Sequence, residues 1–361
     1  MILGAAVALV LVVACGGAAF LVVNRASGAA RDAAPCEVVA ATITVTGAAE
    51  GLPDVTFSAD GRTVATSGQP VQLWNADTGA PVKSLTHRFG DLAVMAFSPD
   101  GKALAMASDK TRIRDFLGFE PTGAAAGQGG MYPLVLWNVE TGGPGDLYPH
   151  RGALDGVEFS RDGASLATIE GDDVYLWDRT GKARGAQALP VTEPHVGGVV
   201  FSPDGKLVAV ASSLGAVVLY DRATRRAVRT FEKFGDRYTQ MRFSPDGTHL
   251  AIHNGGAPLK IWNLATGAAA AQLDLVADDY LVDFVYSADG RSLVTLDQTR
   301  DYRRWDAATG QQTGRVRDGC GRRNAVAAQY GTLSPDGTRA TSVHQLTAGG
   351  PKQVEVVALP F

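Results

Sequence analysis

The stretch Phe201-Ser202-Pro203-Asp204-Gly205, followed within twenty residues by Leu219-Tyr220-Asp221, decides the fold. Pro pre-sets φ at the second position of a tight turn, Asp bonds to nearby backbone, and Gly supplies the positive φ that closes two antiparallel strands. The order recurs along the chain. A large apolar residue followed by Ser, any residue, Asp and Gly begins at Phe57, Phe97, Phe159, Phe201, Phe243, Tyr286 and Leu333. Successive copies are 40, 62, 42, 42, 43 and 47 residues apart, and four read Ser-Pro-Asp-Gly in full.

In most copies a second signature follows the turn on a strand of alternating apolar residues. It reads Leu73-Trp74-Asn75, Leu176-Trp177-Asp178, Leu219-Tyr220-Asp221, Ile261-Trp262-Asn263 and Arg304-Trp305-Asp306, and in the second unit it is delayed to Leu136-Trp137-Asn138. A Thr-Gly turn comes next, at Thr78-Gly79, Thr141-Gly142, Thr180-Gly181, Thr266-Gly267 and Thr309-Gly310, and then a fourth short strand such as Val82 to Thr86. Each unit is therefore a four-stranded meander of roughly 40 to 45 residues, the size of one propeller blade.

This pattern is similar to the WD-repeat (WD40) family over about Val38 to Leu359. The resemblance, in a bacterial membrane-anchored form, implies an all-β fold: a seven-bladed β-propeller acting as a non-catalytic scaffold for protein interaction. A large side chain repeated in a stacked array packs between neighbours, so the third-strand Trp residues are read as inter-blade core. The family's internal network joins a His before the first strand, a Ser or Thr, the Trp and a turn Asp. His87, His150 and His195 stand near that place in the second to fourth units, later units lack one, and no functional role is carried over to them.

The seventh unit supplies only three strands, ending with Gln353 to Ala358. Counting back from Phe57 as Leu85 stands to Phe97 places Val45 in the missing outer strand. The segment Ala40 to Thr46 is thus expected to complete the last blade and leave no seam in the ring.

From Ile2 to Val23 no side chain is charged, and as a helix this length spans roughly 30 Å. Residues 1–23 are read as a transmembrane anchor, 24–37 as a linker and 38–361 as the propeller. A secretory signal peptide fits worse, because no basic residue precedes Ile2 and the apolar run passes the 7 to 15 residues such a segment needs. The lipoprotein-like box Val12-Val13-Ala14-Cys15 meets the same objection. The expected location is a cell membrane crossed once, with an extracytoplasmic, monomeric propeller, although Arg25 and Arg31 after the segment pull the other way. Outside the membrane a disulfide between Cys36 and Cys320 is conceivable. The register argues against it, since the two fall nominally on opposite faces of the ring.

Lys plus Arg (33) nearly balances Asp plus Glu (37) for a net charge of -4, which does not give the basic footprint of a nucleic-acid binder. The sequence holds no Gly-x-Ser-x-Gly elbow, no Walker loop and no Cys-x-x-Cys pair, so an enzyme and a cofactor are not expected. His249 and His253 are four apart on a strand, without the helical spacing and Glu of a zinc protease. The Trp-Asp-x-x-Thr-Gly run at Trp305 also looks like repeats of quinoprotein propellers, but metal-ligating residues to match are missing. The alternative kept open is an extracytoplasmic propeller that binds a small ligand or hydrolyses one.

Two stretches are candidates for contact with a protein or peptide partner. An insertion from Ala107 to Tyr132 carries Arg112, Arg114, Phe116, Leu117 and Phe119, cations beside aromatics as at interface anchors, the alternative being that Phe116 and Phe119 tuck onto the propeller surface. A loop holding Arg317, Arg322 and Arg323 neighbours one with Arg300 and Arg303. Strand alternation sends both from the same face of the ring, where the insertion would supply apolar contact and the arginines would steer an acidic partner.

Overall fold

A computed structural model describes residues 38–361 except 46–52, 90–91, 93, 109–110, 112, 118–130, 180–186, 193, 232–238, 255–257, 274, 276–280, 318–326, 329–330 and 346–351. The described strands form seven antiparallel sheets of four, numbered here as blades 1 to 7 by their Ser-x-Asp-Gly turns from Phe57 to Leu333. Blade 4 is the plainest: Val196–Phe201, Leu207–Ser212, Val217–Asp221 and Ala227–Phe231, each paired with the next.

The turn owes its form to its Ser. In blade 4 the Ser202 hydroxyl donates to Asp204 Oδ1 at 2.7 Å and accepts the Leu207 N–H at 2.9 Å, while Gly205 sits at φ 68° and its N–H donates to the Ser202 carbonyl. Ser58, Ser98, Ser160, Ser244, Ser287 and Ser334 make the same pair of bonds in the other blades. Pro only pre-sets φ, which explains why Ala59, Arg161 and Ala288 can replace it whereas Ser and Asp recur in every copy. The Ser hydroxyl holds the carboxyls of Asp100, Asp162, Asp204, Asp246 and Asp289 below their ordinary value.

The residue after the Trp has an equally local task. The side-chain oxygens of Asn75, Asp221, Asn263 and Asp306 accept both the N–H and the hydroxyl of the Thr three residues on, building the turn between third and fourth strands. Gly310 ends one such turn at φ 71°, where a Cβ would lie 2.0 Å from the Gln272 carbonyl oxygen of blade 5. Only a residue without a side chain fits there.

The Trp rings fill the junctions between blades. In blades 1, 3 and 6 the indole N–H of Trp74, Trp177 and Trp305 donates to Thr66, Thr168 and Thr295 on the adjacent strand at 2.9 to 3.0 Å. Blade 2 has Met106 at that register position, and Trp137 donates to the Gly142 carbonyl instead. Of the three histidines near the family's position, His150 alone packs on a blade Trp, its ring 5.0 Å from Trp177. His87 meets Phe89, and His195 is exposed beside Asp172.

Seven buried clusters join the blades pairwise, one for each junction from blades 1 and 2 round to blades 7 and 1. Seven blades have seven junctions only in a closed ring, since an open row has six. The last junction depends on the N-terminal strand Val38–Val45, which pairs antiparallel with Lys352–Ala358, Ile43 opposite Val354. Ala41, Ile43 and Val45 bury there against Phe57 and Val64 of blade 1. The outer strand expected at Ala40 to Thr46 is this one over its described residues, Thr46 lying outside them.

Among the described residues no helix is long and apolar enough to cross a membrane. The segment Ile2 to Val23 and its linker lie outside the described residues, as do Cys36 and Cys320.

Candidate interaction face

Connections between second and third strands, and those between blades, leave one face of the ring. Blade 2 opens there into the insertion. Among its described residues is the five-residue helix Ile113–Leu117, anchored by the Ile113 N–H on the Met131 carbonyl at 2.7 Å. Ile113 is buried, and Phe116 is only 8% exposed. The Phe116 ring stacks on Phe89 of the preceding inter-blade connection, centroids 4.9 Å apart, and meets the edge of Trp137 at 6.2 Å.

Of the two readings of Phe116, surface anchor or packed ring, the structure has the packed ring. An unsupported apolar ring gains more by entering the junction of blades 1 and 2 than by facing water. Phe116→Ala is expected to lower stability by about 3 kcal/mol through the cavity it leaves, read as a reduced thermal midpoint of the purified protein. Arg114 and Leu117 lie on the same short helix, while Arg112 and Phe119 fall outside the described residues.

The arginine group divides in two. Arg303 is 5% exposed and turned inward, 2.8 Å from Asp297 and 3.6 Å from Asp301, and Asp301 also pairs with Arg315. Arg300 stays near the surface at φ 64°, reaching across to blade 7, where it meets Ser342 Oγ at 3.1 Å and His344 Nδ1 at 3.0 Å. His344 in turn lies 3.3 Å from Glu355. Arg317 is exposed at the end of Gln312–Arg317, in register with Asp301 beside Arg300. These two form a basic edge on blade 6, and Arg322 and Arg323 lie outside the described residues.

Sequence reading missed an acidic counterpart on blade 3. Asp172 and Asp173 are exposed in its loop between second and third strands, Glu170 enters that loop, and exposed Asp155 precedes the inner strand. The run Glu170-Gly171-Asp172-Asp173 between two strands was the available signal. Asp155 accepts the Gly171 N–H at 3.1 Å, which fixes the loop, and Glu170 approaches buried His150 at 3.5 Å. Burial pushes His150 down to about 4, so the imidazole is neutral and leaves the Glu170 charge uncancelled. The face thus carries acid on blade 3 and base on blade 6.

Among the described residues no group of three or more His, Cys, Asp or Glu is arranged to hold a metal. His249 bonds to Thr248 and Asn263, and His253 is buried on the same strand.

These features define a seven-bladed β-propeller. Residues 188–221 match the family "WD domain, G-beta repeat". The chain is similar to protein HIR1 of Yarrowia lipolytica, 28% identical over 55% of this chain and 22% of that protein. It is also similar to the target of rapamycin complex subunit LST8 of Mus musculus, 19% identical over 69% of this chain and 74% of that one. The first curated relatives are thus longer: the chain spans less than half of HIR1 and of a pre-mRNA-processing factor 19 homolog from Arabidopsis thaliana. In fold it resembles the β-propeller domain of Myceliophteria thermophila Cps50 (Swd1), TM-score 0.66 at 14% identity, over 90% of this chain and 99% of that one.

Proposed function

We propose that the protein is a non-catalytic interaction scaffold, tethered to a membrane through residues 1–23 and a 24–37 linker, with a monomeric propeller on the extracytoplasmic side. The observation that carries the scaffold reading is the divided charge of one face, acidic at Asp155, Asp172 and Asp173 and basic at Arg300 and Arg317. Held on a rigid closed ring, such a pattern orients a protein or peptide partner of complementary charge and raises its rate of encounter. The named complex membership of the LST8 relative supports a protein partner. The 22 uncharged residues from Ile2 to Val23 support the tether.

Crosslinking in intact cells tests both ends of the face. Arg317→Glu and Asp173→Lys alter exposed side chains and are expected to leave the thermal midpoint unchanged while reducing the recovered partner severalfold. Undiminished recovery in both variants would overturn the assignment of this face.

A further inference from the structure

On the axis side of the ring, a cavity of about 170 Å³ lies between the inner strands Gly156–Phe159, Val196–Phe201 and Thr239–Phe243 of blades 3, 4 and 5. Gly156, Gly197 and Gly198 are among its lining residues. Three charged groups border it: Glu158, Arg242 and Asp155. Arg242 is already engaged, donating to the Met241 carbonyl at 3.0 Å and pairing with Asp283 of blade 6 at 3.2 Å. The other Asp283 oxygen accepts from the Thr332 hydroxyl and the Leu333 N–H, so this group is fully used. Asp155 is committed to the Gly171 N–H.

Glu158 is different. It makes no hydrogen bond and no ion pair with any described residue, although it faces the cavity. Burial pushes its carboxyl up to about 7 against the field of Arg242. Glu158 is half-buried, and a carboxyl that has lost part of its water without gaining a protein partner is poorly solvated; where such a group borders an open space it is a candidate for binding. The sign of the ligand follows from the neighbours. Arg242 is neutralised by Asp283, whereas Asp155 at the rim adds to the negative potential of Glu158.

We infer that this cavity binds a small organic cation, a guanidinium or primary ammonium group, with Glu158 as its counter-ion. The volume is well under the roughly 300 Å³ of a drug-sized pocket and suits one such group or several waters. The cation can come from a free small molecule or from a basic side chain of a bound peptide. The inference shares Asp155 with the charged face described above but rests on Glu158 and the cavity.

Calorimetric titration of the full-length chain with methylguanidinium, methylammonium and a capped arginine amide is the test. Saturable binding is expected at pH 8 and should weaken about tenfold at pH 6, because the ionised fraction of a carboxyl near 7 falls by that ratio. Glu158→Gln should abolish binding, while Glu140→Gln, at an exposed acid of blade 2, should leave it unchanged. Binding of methylguanidinium or methylammonium assigns the occupant to a free cation, and binding of the arginine amide alone assigns it to a partner's side chain. No saturable binding by any of the three at pH 8, retained binding in Glu158→Gln, or equal affinity at both pH values would overturn the site. Should Glu158→Gln fail to fold, the pH comparison on the native chain decides by itself.

Discussion

A chain lacking Val38 to Val45 is expected to lose its cooperative unfolding transition, or to keep one displaced downward by about 10 °C or more. Ile43 is 1% exposed and Val45 4%, and each such buried side chain contributes about 1.5 to 3 kcal/mol. With Ala41 and the ladder to Lys352–Ala358, removal costs on the order of 5 kcal/mol, a large part of the 5 to 15 that holds a typical domain together. The loss is not confined to one blade, because the same residues cover Phe57 and Val64 of blade 1. It would also free the edge of Lys352–Ala358, a template for pairing with another chain. Ile43→Ala provides a milder form, expected to cost about 3 kcal/mol by the cavity it leaves. Thermal denaturation of the two variants beside the full chain is the measurement, and an undiminished midpoint in the deletion would show that the ring closes some other way.

That strand was legible because the seventh unit came up one strand short, and the blades themselves because their turn chemistry is local. Ser202 and Asp204 close their turn with partners no more than five residues away, and Asp221 does so with Thr224, so the signal survives in sequence whatever the rest of the molecule does. Phe116 was not legible. Its ring lies in a segment without periodicity, and its partner Phe89 lies 27 residues earlier in the connection between blades 1 and 2, so nothing local distinguishes an anchor from a plug. Arg303 misled for a similar reason: on sequence it belongs with Arg300, but the carboxylates that draw it inward are found only once Asp297 and Asp301 are placed. Glu158 sits between Val157 and Phe159 on an inner strand, and its solitude depends on Arg242 turning to a different blade.

Asp297→Ala is expected to destabilise the ring by about 3 to 5 kcal/mol, the usual consequence of stranding one member of a buried ion pair. Asp297 is fully buried in the loop between second and third strands of blade 6. One carboxylate oxygen accepts the N–H groups of Thr299 and Asp301 and the Thr299 hydroxyl, and the other faces Arg303 at 2.8 Å. It therefore has two tasks, capping the loop backbone and neutralising a guanidinium out of water. The tasks separate in a double-mutant cycle with Arg303→Met, whose side chain is of similar length but carries no charge to strand. In that background Asp297→Ala should cost less by about 1 to 3 kcal/mol, the coupling of the pair. An equal cost in both backgrounds would mean that the loop cap is the whole role of Asp297. The consequence reaches the interaction face, because Asp297 bonds to both sides of Arg300, whose guanidinium spans from this loop to Ser342 and His344 of blade 7. Any partner that uses Arg300 should accordingly lose affinity in Asp297→Ala even at temperatures where the ring remains folded, whereas Ile43→Ala, at the opposite side of blade 7, should spare it.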